Sequence, residues 1–175
     1  MSLEGKRVAV LVGDEYEELE VWYPLLRLQE EGAQCDLIGL EAEQPAKGKH
    51  GYPAKSDKGI NDVSAADYDA IVVPGGYMPD KLRRSKAILE FCQEFDKAGK
   101  VIGVICHGPW ILVSAKLLKG RTMTSTPAVR DDVENAGATW VDREAVRDRN
   151  LISARRPADL PAFCKLMIAA MQEKK

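Results

Sequence analysis

Short apolar runs alternate along the chain with longer amphipathic stretches. Arg7–Val12 (RVAVLV) has strand length and stops at Gly13; a run of this kind reads as a buried strand. After the acidic segment Asp14–Glu18, apolar residues recur at helical spacing as Leu19, Trp22, Leu25, Leu26 and Leu28. They predict a helix over residues 17–31, ended by Gly32. Pro24 falls inside that stripe and predicts a kink or a late start. Gln34–Gly39 reads as a second strand, and the polar, glycine-rich stretch 41–62 as loops or short edge strands.

The alternation then repeats. Ala70–Val73 (AIVV) is a third strand, stopping at Pro74-Gly75-Gly76. A helix follows from Pro79 or Ser85 to Ala98, with Ile88, Leu89, Cys92 and Phe95 facing inward. Val101–Ile105 is a fourth strand, Cys106-His107-Gly108-Pro109 a turn, and Trp110–Leu118 a helix whose start suits the preceding proline. Arg121–Ser125, Thr139–Asp142 and Leu151–Ala154 read as short strands, the last two joined by a polar stretch. Residues 127–135 and 158–172 read as helices. Strands alternating with helices predict an α/β fold with a mostly parallel sheet covered on both faces. The 175 residues fit a single domain over 1–175.

Such sheets place their sites beyond the C-terminal strand ends. Three of those ends carry unusual residues: Glu15 to Glu18, Pro74 to Pro79, and Cys106 to Pro109.

Charge and cysteine usage narrow the function. A formal charge of −2 without a basic tract leaves nothing to attract nucleic acid or an anionic membrane. Four cysteines (Cys35, Cys92, Cys106, Cys164) match neither a CxxC pair nor a zinc cluster, so free thiols and a cytoplasmic address are expected. No metal site and no cofactor fingerprint is read: the P-G-G turn is neither a Walker A motif nor GxGxxG.

Cys106 is the candidate nucleophile. A strand-to-helix turn exposes its sulfur above the sheet, and the helix start is expected to lower the thiol pKa. Cys35, Cys92 and Cys164 lie on strand or helix stripes and read as core. With two histidines in the chain, a cysteine–histidine pair must use His107 or His50. A carboxyl beside the sulfur escapes like-charge repulsion by holding a proton, and could then serve as general acid or base. Glu17 is the leading candidate, with Glu15, Glu18 and Glu20 as competitors; all four also suit a solvated acidic helix start. Gly75 and Gly76 can present backbone N–H groups to an oxyanion.

These segments together resemble the DJ-1/PfpI superfamily, and its PfpI-like branch in particular. The matching elements are Asp14–Glu17 (DEYE), Gly48–Tyr52 (GKHGY), Val73–Asp80 (VPGGYMPD), Ile105–Pro109 (ICHGP), Asn135–Ala138 (NAGA) and Ser153–Leu160 (SARRPADL). The resemblance implies a flavodoxin-like three-layer sandwich and a homodimer, sometimes built into hexamers. It places the reactive cysteine on Cys106, its hydrogen-bonding glutamate on Glu17, the adjacent histidine on His107, and the oxyanion pocket at Gly75 and Gly76. An acidic residue from the neighbouring subunit that orients the histidine falls on Asp80, one methylene shorter than the glutamate of archaeal peptidase-like members. Class I glutamine amidotransferases need a later histidine, which this chain lacks.

The expected function is a cofactor-independent, cysteine-dependent enzyme for methylglyoxal, glyoxal or their early protein adducts, with a stress-protective role. Its partners would be small reactive carbonyl compounds or modified protein side chains. The alternatives are a cysteine peptidase or amidase using His107 and Asp80, and a sensor of oxidative stress or a chaperone.

Overall fold

The computed structural model describes residues 2–173. In chain order the elements are β1 (Arg7–Leu11), α1 (Glu18–Glu30), β2 (Gln34–Gly39), β3 (Pro45–Lys47), β4 (Pro53–Lys55), β5 (Lys58–Gly59) and β6 (Ala70–Val73). They continue with α2 (Met78–Leu82), α3 (Lys86–Lys97), β7 (Val101–Ile105), α4 (Pro109–Ser114), β8 (Thr122–Met123) and α5 (Arg130–Asn135). Last come β9 (Thr139–Trp140), β10 (Ala145–Asp148), β11 (Leu151–Ala154) and α6 (Leu160–Gln172).

One sheet of seven strands runs in the order β10-β11-β7-β6-β1-β2-β5. Every pairing in it is parallel except β10 with β11. From β1 the chain first adds strands on one side and then crosses to β6 on the other. Its topological switch point therefore lies between β1 and β6, where open α/β sheets bind ligands.

The central strands are buried on both faces, which is why they read as unbroken apolar runs: β6 and β7 are buried at every position. Helix α6 crosses β7 closely enough that a Cβ on Gly103 would sit 2.8 Å from Phe163 Cζ. Gly103 thus serves helix–sheet packing. Two buried aromatic pairs, Tyr68–Phe91 and Phe91–Phe95, fill the space under α3 edge-on.

Several boundaries differ from the sequence expectation. Helix α1 begins at Glu18 and runs through Pro24. The helix expected from Pro79 or Ser85 to Ala98 starts at the later position, with Ser85 in extended backbone as its N-cap, and a separate short helix, α2, precedes it. Helix α4 stops at Ser114, because the chain turns through Lys116 in the left-handed region (φ 59°). The polar stretch before Leu151 holds an edge strand, β10, joined to β11 through Arg149 at φ 57°. Its half-exposed pattern hides the apolar signal a central strand would give.

Two glycines separate flexible from rigid neighbours. A Cβ on Gly103 meets only the movable ends of α6 side chains. One on Gly108 would collide with the Val73 carbonyl oxygen and lie 2.9 Å from that of Ile105. Gly103→Ala should cost about 1 kcal/mol and Gly108→Ala about 3 kcal/mol or more, read by urea unfolding. Equal costs would contradict the packing described.

Candidate active site

Loops from three strand ends meet at the switch point. The loop after β1 pairs with the loop after β6: Tyr16 bridges Gly76, the Tyr77 N–H donates to the Glu15 carbonyl (2.9 Å), and the Glu17 N–H to that of Gly75 (3.3 Å). The turn after β7 is held by the Cys106 N–H on the Ala154 carbonyl (3.1 Å) and the Thr126 N–H on the Cys106 carbonyl (3.2 Å). Those bonds fix Cys106 at φ 60°, a conformation disfavoured for any residue with a side chain and recurrent at nucleophile turns.

The carboxyl against this sulfur belongs to Glu20, not Glu17. Glu20 is fully buried in the first turn of α1 and lies close enough to Cys106 to shift its titration. Its Oε2 accepts the Gly75 N–H at 2.7 Å, and its Oε1 is buried without a hydrogen-bond partner. Glu17 precedes α1 as its N-cap and is turned to Lys49, with which it forms an ion pair. Helix geometry explains the difference. Glu20 lies on the buried stripe with Pro24 and Leu28, four and eight residues on, and that stripe faces the sheet. This was the signal in the sequence: an acid placed on an apolar helix face.

Burial and the nearby Glu17 charge push the Glu20 carboxyl up to about 8, although the Gly75 N–H pulls the other way. Glu20 therefore carries a proton at neutral pH and can donate it to the sulfur. The expected lowering of the Cys106 pKa is not what the structure gives. Burial pushes that thiol up to about 12, with Glu20 adding to the rise and the backbone N–H groups of His107 and Gly76 opposing it. The six-residue α4 opens on Pro109, which has no N–H to offer, so the helix end adds little. The part of the rise due to Glu20's charge vanishes whenever Glu20 is protonated.

His107 turns its ring onto the same sulfur, with Nδ1 3.3 Å from Sγ, and packs against Trp110 at 5.1 Å. Burial and the Lys49 charge lower its pKa, which keeps the imidazole neutral near pH 7. Gly75 lies so close that a Cβ there would sit 2.8 Å from Cys106 Cβ and 2.9 Å from the His107 nitrogen. Gly76 takes φ 77°, which suits glycine. Asp80, on α2, pairs with Arg84 at 2.5 Å. It shares a shallow depression with Trp110, the residue that backs His107. His50 sits on the rim, bonded through Nδ1 to Glu18 (2.9 Å). Among the described residues, Glu17, Glu18 and His50 bring ligand atoms within 4.8 Å of one another. Lys49 and His50 already occupy those two carboxylates, so the cluster is satisfied by protein groups. The other cysteines lie away from this turn: Cys92 and Cys164 are buried and Cys35 half-buried, and burial raises all three thiols to about 12. No helix among the described residues is long and apolar enough to cross a membrane.

Comparison with known proteins agrees with this architecture. The chain belongs to the DJ-1/PfpI family, whose model matches residues 6–170. It is 39% identical over 166 residues to a protein of Pyrococcus furiosus named deglycase PfpI, covering 95% of this chain and 99% of that one. It is 42% identical over 159 residues to the putative cysteine protease YraA of Bacillus subtilis, covering 91% and 94%. The crystal structure of Drosophila melanogaster DJ-1beta superposes with a TM-score of 0.89 at 24% identity, over 97% of this chain and 91% of that one; it bears out the flavodoxin-like fold.

The raised Glu20 pKa makes stability depend on pH. A carboxyl whose folded pKa lies above its unfolded value of 4.5 lends stability in full below pH 4.5, and that stability is lost as pH rises through about 8. Gln resembles the protonated carboxyl. The Tm of Glu20→Gln should therefore match wild type at pH 5 and exceed it by several degrees at pH 9. A difference that stays flat between those pH values would show that Glu20 is not held protonated.

Proposed function

We propose that this protein is a cysteine-dependent enzyme of the deglycase type, acting on methylglyoxal, glyoxal or their early adducts with protein side chains. One observation carries the reading: a strained cysteine at a strand end, set beside a fully buried protonated carboxyl and faced by two backbone N–H groups. That set suits chemistry in which protons move between neighbouring carbons, and it needs no cofactor. The deglycase name of the archaeal relative supports the same class.

In the proposed sequence the Cys106 sulfur adds to the aldehyde carbon, and its proton passes to His107 Nδ1. On an amine adduct the same attack expels the amine. The oxygen is held by the Gly76 and His107 N–H groups and takes the Glu20 proton. Glu20, now a carboxylate, removes the hydrogen on the sulfur-bearing carbon and returns it to the neighbouring carbonyl carbon. Proton exchange between the two oxygens through His107 leaves a thioester. Water cleaves it to a hydroxy acid and restores the thiol. Methylglyoxal plus water thus gives lactate, with no net oxidation. Glu20 takes the acid–base role that the family resemblance placed on Glu17.

A peptidase would use His107 as base and Asp80 of a second subunit as its orienter. In one protomer Asp80 is held by Arg84, and the neutral imidazole rests on Trp110. The oxidation-sensor role draws on the same sulfur and is a second use of the site, consistent with a protective role under stress.

We also propose a homodimer. Leu19, Tyr23 and Leu26 follow one another on one face of α1 and are 57%, 37% and 59% exposed, a stripe that a second copy would cover.

Cys106→Ala should abolish turnover of methylglyoxal to lactate, and Glu20→Gln should lower kcat by about 100-fold or more. Glu17→Gln should change it less than about tenfold. Equal losses for the two glutamates, or activity surviving in Cys106→Ala, would sink the scheme. In sedimentation velocity wild type should run as a dimer and Leu26→Lys as a monomer; a wild-type monomer would contradict the interface.

A further inference from the structure

A clamped surface turn carries one cation into the site. The Gly48 N–H donates to the Tyr52 carbonyl (2.8 Å), and the Lys49 N–H to the Tyr16 carbonyl (2.9 Å). The His50 N–H donates to a Glu18 carboxylate oxygen at 2.6 Å, while His50 Nδ1 lies 2.9 Å from the other. Gly48 packs against the same carboxylate, with no room for a Cβ. Two residues flanking Glu17 thereby fix the backbone around Lys49.

Held in this way, the Lys49 side chain forms its ion pair with buried Glu17, and its charge is felt by Cys106, Glu20 and His107. It also lines an open groove of about 590 Å³, shared with Asp14, Glu15, Lys47, His50 and Lys81. An ammonium has three donors, and one hydrogen bond to Glu17 leaves two to offer. A single lysine already paired with one carboxylate suits a monoanion better than a doubly charged phosphate.

We propose that Lys49 is a specificity residue that receives a carboxylate on the reacting compound, so that the site favours small carbonyl compounds or adducts bearing a carboxylate near the carbon that Cys106 attacks. This rests on Cys106 as the nucleophile, but not on the deglycase reaction.

The test compares alkylation of Cys106 by iodoacetate and by iodoacetamide, followed by mass spectrometry of the intact protein and its peptides. In both reagents the sulfur bonds to the methylene carbon as iodide leaves, and they differ in charge. The ratio of the two rates cancels the fraction of thiolate present. Relative to 2-mercaptoethanol, the wild-type ratio should favour iodoacetate by about tenfold, the size of a partly exposed charge contact. Lys49→Met should bring it to the free-thiol value, Lys49→Arg should keep it, and Glu17→Gln should raise it above wild type by releasing the ammonium. A ratio unchanged in Lys49→Met and Glu17→Gln, with Cys106 reacting normally, would overturn the proposal alone. Silence of Cys106 toward both reagents would remove the nucleophile reading and this proposal with it.

Discussion

A buried carboxyl on α1 ties the two halves of this site together. Glu20 accepts the Gly75 N–H from the loop after β6 and lies beside Cys106 in the turn after β7. It joins three elements that are distant in sequence, inside a region where an unpaired polar group would be costly. Its protonation is what makes the arrangement tolerable. A charged carboxylate there would face a sulfur and the Glu17 charge, whereas the neutral acid can donate. The glycines follow from the same constraint: any Cβ on Gly75 would intrude on Cys106 and on the Glu20 Oε2 atom at 2.6 Å.

In the proposed reaction the Cys106 sulfur owes its position to a strained turn and its reactivity to its neighbours. Cys106 sits at φ 60° because the flanking strand and the Thr126 contact fix its backbone on both sides. Burial holds the thiol in its protonated form, so the site favours proton transfer at the moment of reaction over a resting thiolate. That transfer has short routes: a neutral imidazole at 3.3 Å and a protonated carboxyl beside the sulfur. The Glu17–Lys49 ion pair forms a second layer of charge, bringing a cation close without leaving a buried carboxylate alone.

Much of the fold was legible in the chain. The runs VAVL, AIVV and VIGVI are buried parallel strands whose two covered faces leave only apolar positions. The stops at Gly32 and Pro74 are local chemistry and fell where they were read. Edge elements were less legible. The β10 strand is half exposed and α4 ends at a left-handed lysine, so neither carries a strong periodic signal. The site was legible in part: Cys106, His107, Gly75 and Gly76 stand at strand ends that the alternation itself locates. The choice among four glutamates was not, because an acidic helix start looks the same whether its residues face water or sulfur. Glu17 carries the motif match, but helical phase sets Glu20 in line with Pro24 and Leu28 on the buried face.

By itself, then, the sequence determined the alternation of strands and helices, the loops at the strand ends and the turn that carries the cysteine. These depend on neighbours within a few residues, where backbone geometry and apolar period act directly. The tertiary structure alone decided which carboxyl meets the sulfur, which histidine nitrogen faces it and where Lys49 reaches. Those are contacts between segments up to 86 positions apart, from Glu20 to Cys106, and only the packing of α1 against the sheet fixes the direction in which each side chain points.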